Sequence, residues 1–405
     1  MAEPRHFDVV IIGAGIAGAS LAVALSGKGL SIALVEARDL DTAALPQAMS
    51  VADFDPRVSA LTPRSSEFLQ QLGAWDAIAA YRYCAYQHMT VWDAEGTGQI
   101  EFDRDEVGAA ELGHIVENRA IVHALLEQVS GASDIKVMSP AALQSCTRLP
   151  SLQVSLALAD GVCLQADLLV AADGALSRVR EMMGFTCREW DYGHRAIVAT
   201  VEVERSHEAT AWQRFLPSGP LALLPLPGSE GRHYCSIVWS LQDDKVDAIL
   251  ALDDEAFCVE LERVSEARLG AVLATSRRFA HPLRQRHAVD YVQPGVALVA
   301  DAAHTIHPLA GQGINLGLQD VAVLAQEIEA GQHCGVSPGQ LELLRRYQRR
   351  RKGENLMMMT AMDGFKRLFE QQALPLRWLR NVGMRRIDTL VPVKRQLMRH
   401  AMGLR

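Results

Sequence analysis

Closely spaced cysteines are missing from this sequence. Its seven cysteines are scattered over 405 residues, and none forms a C-x-x-C pair. An odd count without disulfide or metal-binding spacing indicates reduced, mostly buried thiols in a reducing compartment. We therefore expect a cytoplasmic protein. Internal repeats and low-complexity tracts are missing as well, and 49% hydrophobic with 22% charged residues is typical of a globular chain of two or three domains.

An overall excess of positive charge is also missing, because the net charge is −8. This argues against general nucleic-acid binding. The last part of the chain differs from the rest, since residues 341–405 carry 16 Lys or Arg against 5 Asp or Glu. Such a basic end suits an acidic partner protein or an anionic membrane surface, and the latter would make the protein peripherally membrane-associated. A solvated helical face that balances the acidic body explains the same charges.

Only one segment is long and uncharged enough to cross a bilayer, which takes roughly 20 residues. It is Val9–Gly27, and it contains Gly13, Gly15 and Gly18 behind the strand-like Val9–Ile12. A strand and a glycine-rich turn explain the segment better than a membrane helix does. The N-terminus also lacks the basic region and the cleavage site of a signal peptide. We expect neither a transmembrane helix nor a signal peptide.

The beginning of the chain has the pattern of a βαβ unit. A strand leads into G-x-G-x-x-G, a helix follows, and a second strand, Ile32–Val35, ends at Glu36. In such units the glycines let a pyrophosphate approach the start of the helix, and the acid holds ribose hydroxyls. The pattern predicts a dinucleotide site, and Glu36 favours a ribose without a 2′-phosphate. By itself the pattern also fits an NAD-dependent dehydrogenase.

Two later segments repeat the arrangement of a strand that ends in a carboxylate. Leu168–Ala172 is followed by Asp173 and Gly174, and Val296–Ala300 is followed by Asp301. After Asp301 comes a loop rich in proline and glycine, and then a helical pattern. Backbone N–H groups at a helix start lack internal partners and attract negative charge, and glycines let the chain approach a ligand closely. Both segments therefore predict contacts with a polar ligand.

These three motifs, in this order and spacing, resemble the FAD-dependent aromatic hydroxylases. The run His307–Asp320 (H-P-L-A-G-Q-G-x-N-x-G-x-x-D) matches the signature of the ubiquinone-biosynthesis hydroxylases at every fixed position. Asp55–Leu61, His114–Asn118 and Ala401–Leu404 look like that group too, so the resemblance covers nearly the whole chain. Further segments, such as Trp190–Tyr192, look most like the polyprenylphenol 5-hydroxylase branch, and the 6-position hydroxylase of the same pathway comes second.

The resemblance implies an α/β fold with a Rossmann-like FAD-binding domain, an inserted, mostly antiparallel β-sheet substrate domain and a helical C-terminus. Strand patterns separated by turn signals between residues 196 and 240 support the inserted sheet. We expect the FAD-binding domain at residues 1–75, 114–187 and 285–340, the substrate domain at 76–113 and 188–284, and a basic helical region at 341–405.

The resemblance also assigns cofactor-binding residues along the length of FAD. Gly13, Gly15 and Gly18 would receive the pyrophosphate, Glu36 the adenosine ribose and Arg57 the adenine-side phosphate, while Asp173 and Gly174 would lie near FAD and the incoming nicotinamide. Asp301 would bind the ribityl chain, and the isoalloxazine would be lined by Pro308, Gly311, Gln312, Gly313, Ile314 and Asn315.

Two positions depart from the family pattern. Asn118 stands where many relatives have an arginine that contacts FAD, which suggests a weaker or indirect contact. Ala300 stands where relatives usually have glycine. If that position requires a positive φ, alanine is strained there by about 1 kcal/mol. The affinity for FAD, but not the identity of the cofactor, depends on these two residues.

The implied activity is that of a flavoprotein monooxygenase. NAD(P)H reduces FAD, O₂ forms a flavin hydroperoxide, and its outer oxygen goes to the ring of a lipophilic polyprenylphenol in ubiquinone biosynthesis, at position 5 or alternatively position 6. No second G-x-G-x-x-G is present, so we expect NAD(P)H to dock transiently. We assign no catalytic base, because a structural role beside Pro308 explains His307. We expect no metal, because no cysteine joins His304 and His307. A non-catalytic scaffold in a ubiquinone-biosynthesis protein complex is the remaining alternative.

Overall fold

Strands and helices are interspersed through the first third of the chain, and strands predominate from there to residue 305. A computed structural model describes residues 4–40, 44–229, 231–305, 312–370, 381–384, 386 and 388–403. The strands are, in chain order, β1 (Arg5–Ile12), β2 (Ile32–Val35), β3 (Val58–Leu61), β4 (Cys84–Tyr86), β5 (His88–Asp93), β6 (Gln99–Asp103), β7 (Gly113–Glu117), β8 (Ile135–Met138), β9 (Leu143–Arg148), β10 (Val154–Leu158), β11 (Cys163–Ala171), β12 (Cys187–Val203), β13 (Thr210–Leu216), β14 (Gly219–Ser229), β15 (Arg232–Gln242), β16 (Val272–Thr275), β17 (Phe279–Ala288), β18 (Val292–Gln293), β19 (Val296–Leu298) and β20 (His304–Thr305). The helices are α1 (Ile16–Leu25), α2 (Pro63–Gln71), α3 (Trp75–Tyr81), α4 (Asn118–Gly131), α5 (Arg178–Met182), α6 (Asp243–Leu250), α7 (Asp254–Val264), α8 (Gln312–His333), α9 (Leu341–Glu370) and a C-terminal helix (Val391–Ala401).

A mainly parallel sheet carries the three predicted motifs. Its parallel strands lie in the order β8-β2-β1-β11-β19, and β18 and β10 pair with this sheet in the antiparallel sense. All four residues of β2 are buried, and α1 packs against both α4 and α8 beside the sheet. A strand covered on both faces needs an unbroken apolar run, and Ile32–Val35 provides one. This sheet confirms the predicted Rossmann-like part of the fold.

A second, larger sheet confirms the predicted inserted domain. Its strands lie in the order β20-β17-β12-β15-β14-β13-β5-β6. All of these neighbours are antiparallel except β13 and β5, which run parallel. Alternate residues of the central strands, such as Ile197, Ile237 and Trp239, pack in one cluster with Phe257 and Leu261 of α7. The alternation leaves the opposite face of the sheet for other contacts.

A small third sheet, β3-β7-β4, lies between the other two. Tyr234 of β15 and Phe54 pack in one cluster with Ile115 of β7, and the Tyr234 hydroxyl donates a 2.9 Å hydrogen bond to the Met49 carbonyl. The segment before β3 is thereby fastened to the large sheet, and it carries Arg57 towards the parallel sheet.

The basic C-terminal region packs against the body of the protein at two places. Helix α9 lies against α8, while Met398 of the C-terminal helix and Met402 just after it are buried beside Leu112. Pro392 falls in the first turn of that helix, where the missing N–H costs nothing, and Pro375 lies outside the described residues. Over the described parts of the chain, every helix is too short or too polar to cross a membrane.

Two local predictions are wrong. The sequence pattern from Asp254 to Leu273 predicts one helix, but α7 ends at Val264, because Glu266 and Ala267 adopt positive φ angles of 57° and 47° and break the helical hydrogen bonds. The strand expected from Val296 to Ala300 stops at Leu298, and Ala300–Ala302 forms a 3-10 turn instead. The domain division stays a prediction; strand β17 runs across its boundary at residue 284.

Candidate FAD-binding site

A cavity of about 670 Å³ opens where β1, β2 and β11 end. The carboxyl ends of parallel strands meet at one edge of a sheet, and ligands bind in the crevice outside that edge. Eight of the predicted site residues line the cavity; they are Gly15, Glu36, Arg57, Asn118, Gly174, Asp301, Gly313 and Ile314. Its volume is in the range of small-molecule and cofactor sites.

The three glycines of the first motif have different tasks. A Cβ on Gly13 would lie 2.4 Å from the Ala172 carbonyl oxygen, and one on Gly18 would lie 1.8 Å from the Gly13 carbonyl oxygen. These two glycines let strand, turn and helix pack closely. Gly15 precedes α1, and no atom lies within 4 Å of a Cβ added there. The open space beside Gly15 and the unpartnered amides of the first turn of α1 suit a pyrophosphate.

Glu36 connects the end of β2 to the glycine turn. One carboxylate oxygen accepts a 2.9 Å hydrogen bond from the Ala14 backbone N–H, and the other accepts a 3.2 Å bond from the Arg38 backbone N–H. A carboxylate offers about four acceptor positions. These backbone bonds fix the orientation of Glu36 at the cavity wall and leave acceptor capacity for ribose hydroxyls.

Arg57 and Asn118 reach the cavity from the third sheet. The Asn118 N–H donates to the Arg57 carbonyl at 2.9 Å, and the Ser59 hydroxyl donates to the Asn118 side chain at 2.6 Å. The exposed Arg57 side chain brings a positive charge to the cavity wall. Behind it, the buried Glu117 carboxylate accepts from the Asp55 N–H at 2.6 Å and from Arg82 at 2.5 Å. The charge of Arg57 is thus carried on a firmly held segment.

Asp173 has a local role that its motif did not reveal. One of its oxygens accepts from the N–H groups of Arg178 and Val179, at 2.8 and 3.2 Å, and so caps α5. The other oxygen is buried and has no hydrogen-bond partner among the described residues. Gly174 lies directly on the cavity with a φ of 81°, a conformation that favours glycine. Asp173 shapes the turn, and Gly174 forms the surface.

Asp301 is exposed to the cavity from the turn that follows β19. Solvent reaches it from that side, but protein surrounds the carboxyl elsewhere. This loss of hydration raises the pKa of Asp301, and the neighbouring His304 and Arg57 partly oppose the rise. Hydrogen-bond donors in the cavity, such as the hydroxyls of a ribityl chain, would therefore stabilise the charged carboxylate.

Ala300 does adopt the conformation in which alanine is disfavoured. Its φ is 52°, and for a residue with a Cβ the left-handed region costs about 1–2 kcal/mol. The Ala300 N–H donates a 3.1 Å hydrogen bond to a carboxylate oxygen of Asp320. The departure from glycine at this position therefore carries a conformational cost that a buried hydrogen bond offsets.

The helix start after Asp301 is only partly described. Pro308 and Gly311 lie outside the described residues, as does His307, and Gln312 begins α8. Gly313 and Ile314 line the cavity. Asn315 is 4% exposed; its amide oxygen accepts from the Thr62 N–H at 2.9 Å, and its amide nitrogen donates to the Ala60 carbonyl at 2.8 Å. The side chain of Asn315 thus ties α8 to β3.

The sequence did not identify several residues of this site. Arg38 and Thr305 line the cavity without belonging to a recognised motif. Ser59 lines it as well; it lies in the family-like segment Asp55–Leu61, but no role was assigned to it. Asp320 is fully buried and takes hydrogen bonds from His304 and Arg351. Asp320 is the last fixed position of the His307–Asp320 signature, but the signature did not assign it a contact, whereas Arg351 looks like any surface arginine of the basic C-terminal region.

The cavity fits FAD by its own features. It offers helix-start amides beside Gly15, a positive charge at Arg57 and carboxylates at Glu36 and Asp301. Phosphate, ribose and ribityl groups require just such partners. A Cβ added at Gly15 would meet no protein atom within 4 Å, which leaves room at the helix start for a ligand group.

Comparison with known proteins agrees with this geometry. The FAD binding domain family matches residues 6–355. The chain is 38% identical to the ubiquinone hydroxylase UbiL of Rhodospirillum rubrum, covering 98% of this chain and 89% of that protein. It is 35% identical to the 3-demethoxyubiquinol 3-hydroxylase of Escherichia coli, covering 98% of each.

Solved structures show the same fold at lower identity. The probable FAD-dependent monooxygenase PqsL of Pseudomonas aeruginosa superposes with a TM-score of 0.77 at 21% identity, covering 94% of this chain and 99% of that one. The sequence matches therefore carry the assignment to a family, and they favour an FAD enzyme over an NAD-dependent dehydrogenase. The chain belongs to the FAD binding domain family and, within it, to the FAD-dependent hydroxylases of ubiquinone biosynthesis, which are flavoprotein monooxygenases.

Proposed function

We propose that this protein hydroxylates the aromatic ring of a polyprenylated phenol at position 5. The flavin chemistry is supported by one cavity that brings the glycine turn, Glu36, Arg57 and Asp301 together at the strand ends. Position 5 is supported by the resemblance of segments such as Trp190–Tyr192 to the polyprenylphenol 5-hydroxylase branch. When bound there, FAD reduced by NAD(P)H supplies the oxygen chemistry, in which one atom of O₂ replaces a ring hydrogen by a hydroxyl and the other leaves as water.

The residues of the chain bind and orient. The amides that follow Gly15 and the guanidinium of Arg57 would hold the phosphates, because both place positive charge at the same wall. Glu36 would hold the adenosine ribose, and Asp301 the ribityl hydroxyls. The backbone amides of Gly313 and Ile314 belong to the first turn of α8, where negative charge on a nearby ring system is stabilised.

The large sheet supports an apolar surface for the substrate. Val198, Val238 and Ala222 are direct neighbours across β12, β15 and β14, and all three are half-buried on the face opposite the α7 cluster. An activated phenol ring and its isoprenoid tail require such a surface more than they require charged groups. At the far end of the sheet, Met398 and Met402 pack near Met89 and Phe102, and adaptable methionines suit a lipid-like tail.

A second candidate substrate is a more highly substituted quinol, hydroxylated at position 6 of the same ring. The relative from Escherichia coli is named for hydroxylation of 3-demethoxyubiquinol, and the chain covers 98% of its length. This relative favours a demethoxylated quinol over a simple phenol.

Mass spectrometry of the products distinguishes these candidates. The purified protein with FAD, NADPH and ¹⁸O₂ is given a prenylated phenol or a prenylated demethoxy quinol. We expect one ¹⁸O atom in the phenol product, and the position is read from its fragments. Oxygenation of the quinol alone would favour the second candidate. Oxidation of NADPH without any oxygenated product would contradict both candidates, and the absence of NADPH oxidation as well would leave the non-catalytic scaffold.

Peripheral contact with an anionic membrane is supported by the C-terminal helix. Leu390, Val393 and Leu397 are exposed at a spacing that places them on one face, and Arg395 and Arg399 are exposed as well. Apolar and basic groups together suit an anionic bilayer surface. Sedimentation with anionic and with neutral vesicles tests this; a solvated helical face predicts that neither kind carries the protein down, and Leu397→Glu should abolish any binding.

A further inference from the structure

A buried polar network lies directly behind the segment that carries Asp301. Its centre is the Asp320 carboxylate of α8, which has no exposed surface. One oxygen accepts from Arg351 at 2.8 Å and from Asn355 at 3.1 Å, both on α9. The other oxygen lies 2.5 Å from the Nε2 atom of His304 and accepts from the Ala300 N–H at 3.1 Å. Helices α8 and α9 are thereby joined to the turn.

The two contacts on the turn enclose Asp301. Ala300 immediately precedes Asp301 and His304 follows it by three residues, and both bond the same oxygen of Asp320. The network therefore holds both ends of a five-residue segment while the Asp301 side chain extends to the cavity. It also opposes the preference of Ala300 for a negative φ, since the Ala300 N–H and the His304 side chain are both bonded to Asp320 in the observed conformation.

Two residues of α9 bind the Asp320 oxygen that faces away from the turn. Arg351 is 1% exposed, and it also donates to the Asn355 side chain at 2.8 Å and to the Leu316 carbonyl at 3.4 Å. Asn355, which is fully buried, donates to Asp320 as well. Each oxygen of Asp320 has two hydrogen-bond partners, so rotation of the carboxylate would break bonds at both oxygens. The position of Ala300 is thus set from α9.

We infer that Arg351 and Asn355, acting through Asp320, are positioning residues that hold Asp301 in place for the cofactor. Neither residue lines the cavity, and none of the described residues that line it belongs to α9. The inference rests on the proposed function insofar as Asp301 contacts FAD. It adds that the affinity for FAD is determined in part by the basic C-terminal region.

A neighbouring arginine on the same helix supplies a matched control. Arg350 donates to Glu327 of α8 at 2.9 Å, so it also joins α9 to α8. Its side chain is 48% exposed, and Glu327 does not bond the turn that carries Asp301. A substitution at Arg350 therefore changes a contact between the same two helices without reaching the cavity.

The test compares the binding of FAD to the apoprotein forms of wild type, Asn355→Leu, Arg351→Lys and Arg350→Met by quenching of flavin fluorescence. We expect Asn355→Leu to weaken binding by about tenfold or more, because it removes a hydrogen bond to a buried charge. Arg351→Lys keeps the charge but loses the fork of donors, and it should weaken binding less. Arg350→Met should bind like wild type. Thermal unfolding of each apoprotein identifies a variant that has lost its fold.

Coupling to Ala300 separates positioning from a general effect on stability. In the Ala300→Gly background the backbone no longer resists the observed φ, so Asn355→Leu should weaken FAD binding by clearly less than in wild type. Equal losses in both backgrounds would overturn the inference, as would wild-type FAD affinity in both Asn355→Leu and Arg351→Lys. If wild type binds FAD but oxygenates no substrate, the proposed function fails while these binding ratios still test the positioning role.

Discussion

The methyl group of Ala300 occupies the space in which a side chain at Gly317 would lie. A Cβ added to Gly317 would be 2.7 Å from the Ala300 Cβ, and carbon atoms in proteins essentially never approach so closely. The turn after β19 and the first turns of α8 therefore touch through these two positions. Alanine at 300 requires glycine at 317, and the two residues have to be considered as a pair.

Substitution of Gly317 by alanine should destabilise the protein because of this contact. We expect a loss of about 1–3 kcal/mol in the free energy of unfolding, as for other overpacked sites. Ala300→Gly in the same chain removes the opposing methyl and should restore most of the loss. Urea unfolding measures both. Gly353, a helical glycine with open space around it, is the control: Gly353→Ala should be neutral or slightly stabilising.

Ala300→Gly alone should change little. Relief of the positive φ stabilises the fold by about 1 kcal/mol, while the greater freedom of glycine in the unfolded chain costs about 0.4–1 kcal/mol. Because Asp320 holds the turn in either case, we expect the FAD affinity of the variant to stay within about twofold of the wild-type value. This is far less than the tenfold change that corresponds to about 1.4 kcal/mol. Titration of apoprotein with FAD checks this. A large gain in affinity would mean that the turn relaxes in the apoprotein.

Gly15 and Gly18 should respond to alanine in opposite ways. The Gly15 backbone has a φ of −70°, which alanine adopts easily, and the added methyl meets no protein atom. Gly15→Ala should therefore keep its unfolding free energy within about 1 kcal/mol and lose FAD affinity, since the methyl projects where the pyrophosphate approaches. At Gly18 the methyl meets the Gly13 carbonyl, so the fold itself should be lost. Circular dichroism and FAD titration distinguish the two outcomes.

Stability should fall in mildly acidic solution because of His114. Burial lowers the pKa of this residue from 6.5 to about 4, where Trp75 and Tyr83 pack against its ring. Below pH 6.5 the unfolded chain binds a proton that the folded chain does not, so stability is lost as the pH falls from 6.5 towards 4, by up to about 3 kcal/mol.

The comparison of His114→Phe with wild type isolates this contribution. Phenylalanine keeps the aromatic packing and cannot titrate, so its unfolding free energy should fall less between pH 7 and 4.5. His333→Gln, on the exposed end of α8, should keep the wild-type pH dependence. An identical pH dependence for His114→Phe and wild type would show that the ring is hydrated in the folded state.

The sequence predicted the cavity better than it predicted what individual side chains do there. Strand ends in a parallel sheet are a local pattern with a fixed spatial consequence, so Gly15, Glu36 and Asp301 could be brought together without a structure. Asn315 was expected at the isoalloxazine, but its amide bonds the backbone of Ala60 and Thr62, some 250 residues away in sequence. No local pattern reports such a partner.

The same limit applies to the basic C-terminal region. Arg351 and Arg350 are adjacent arginines in one charged stretch, yet the first is 1% exposed and the second lies at the surface. Helical periodicity separates their faces but does not say which face meets α8. The charge excess of residues 341–405 therefore mixes buried network members with surface groups, and charge alone overstates how much of it faces solvent.

The bonds from α9 to Asp320 also bear on how much of the chain must be present before the cofactor can be held tightly. The cavity draws its wall from residues between Ala14 and Leu318, but its Asp301 segment is tied down by Arg351 and Asn355. A nascent chain that has emerged only as far as α8 has every cavity-lining residue and the Asp320 carboxylate, but it lacks the two donors of α9 that hold this carboxylate. We therefore expect tight binding of the cofactor only once nearly nine-tenths of the chain, up to Asn355, is available.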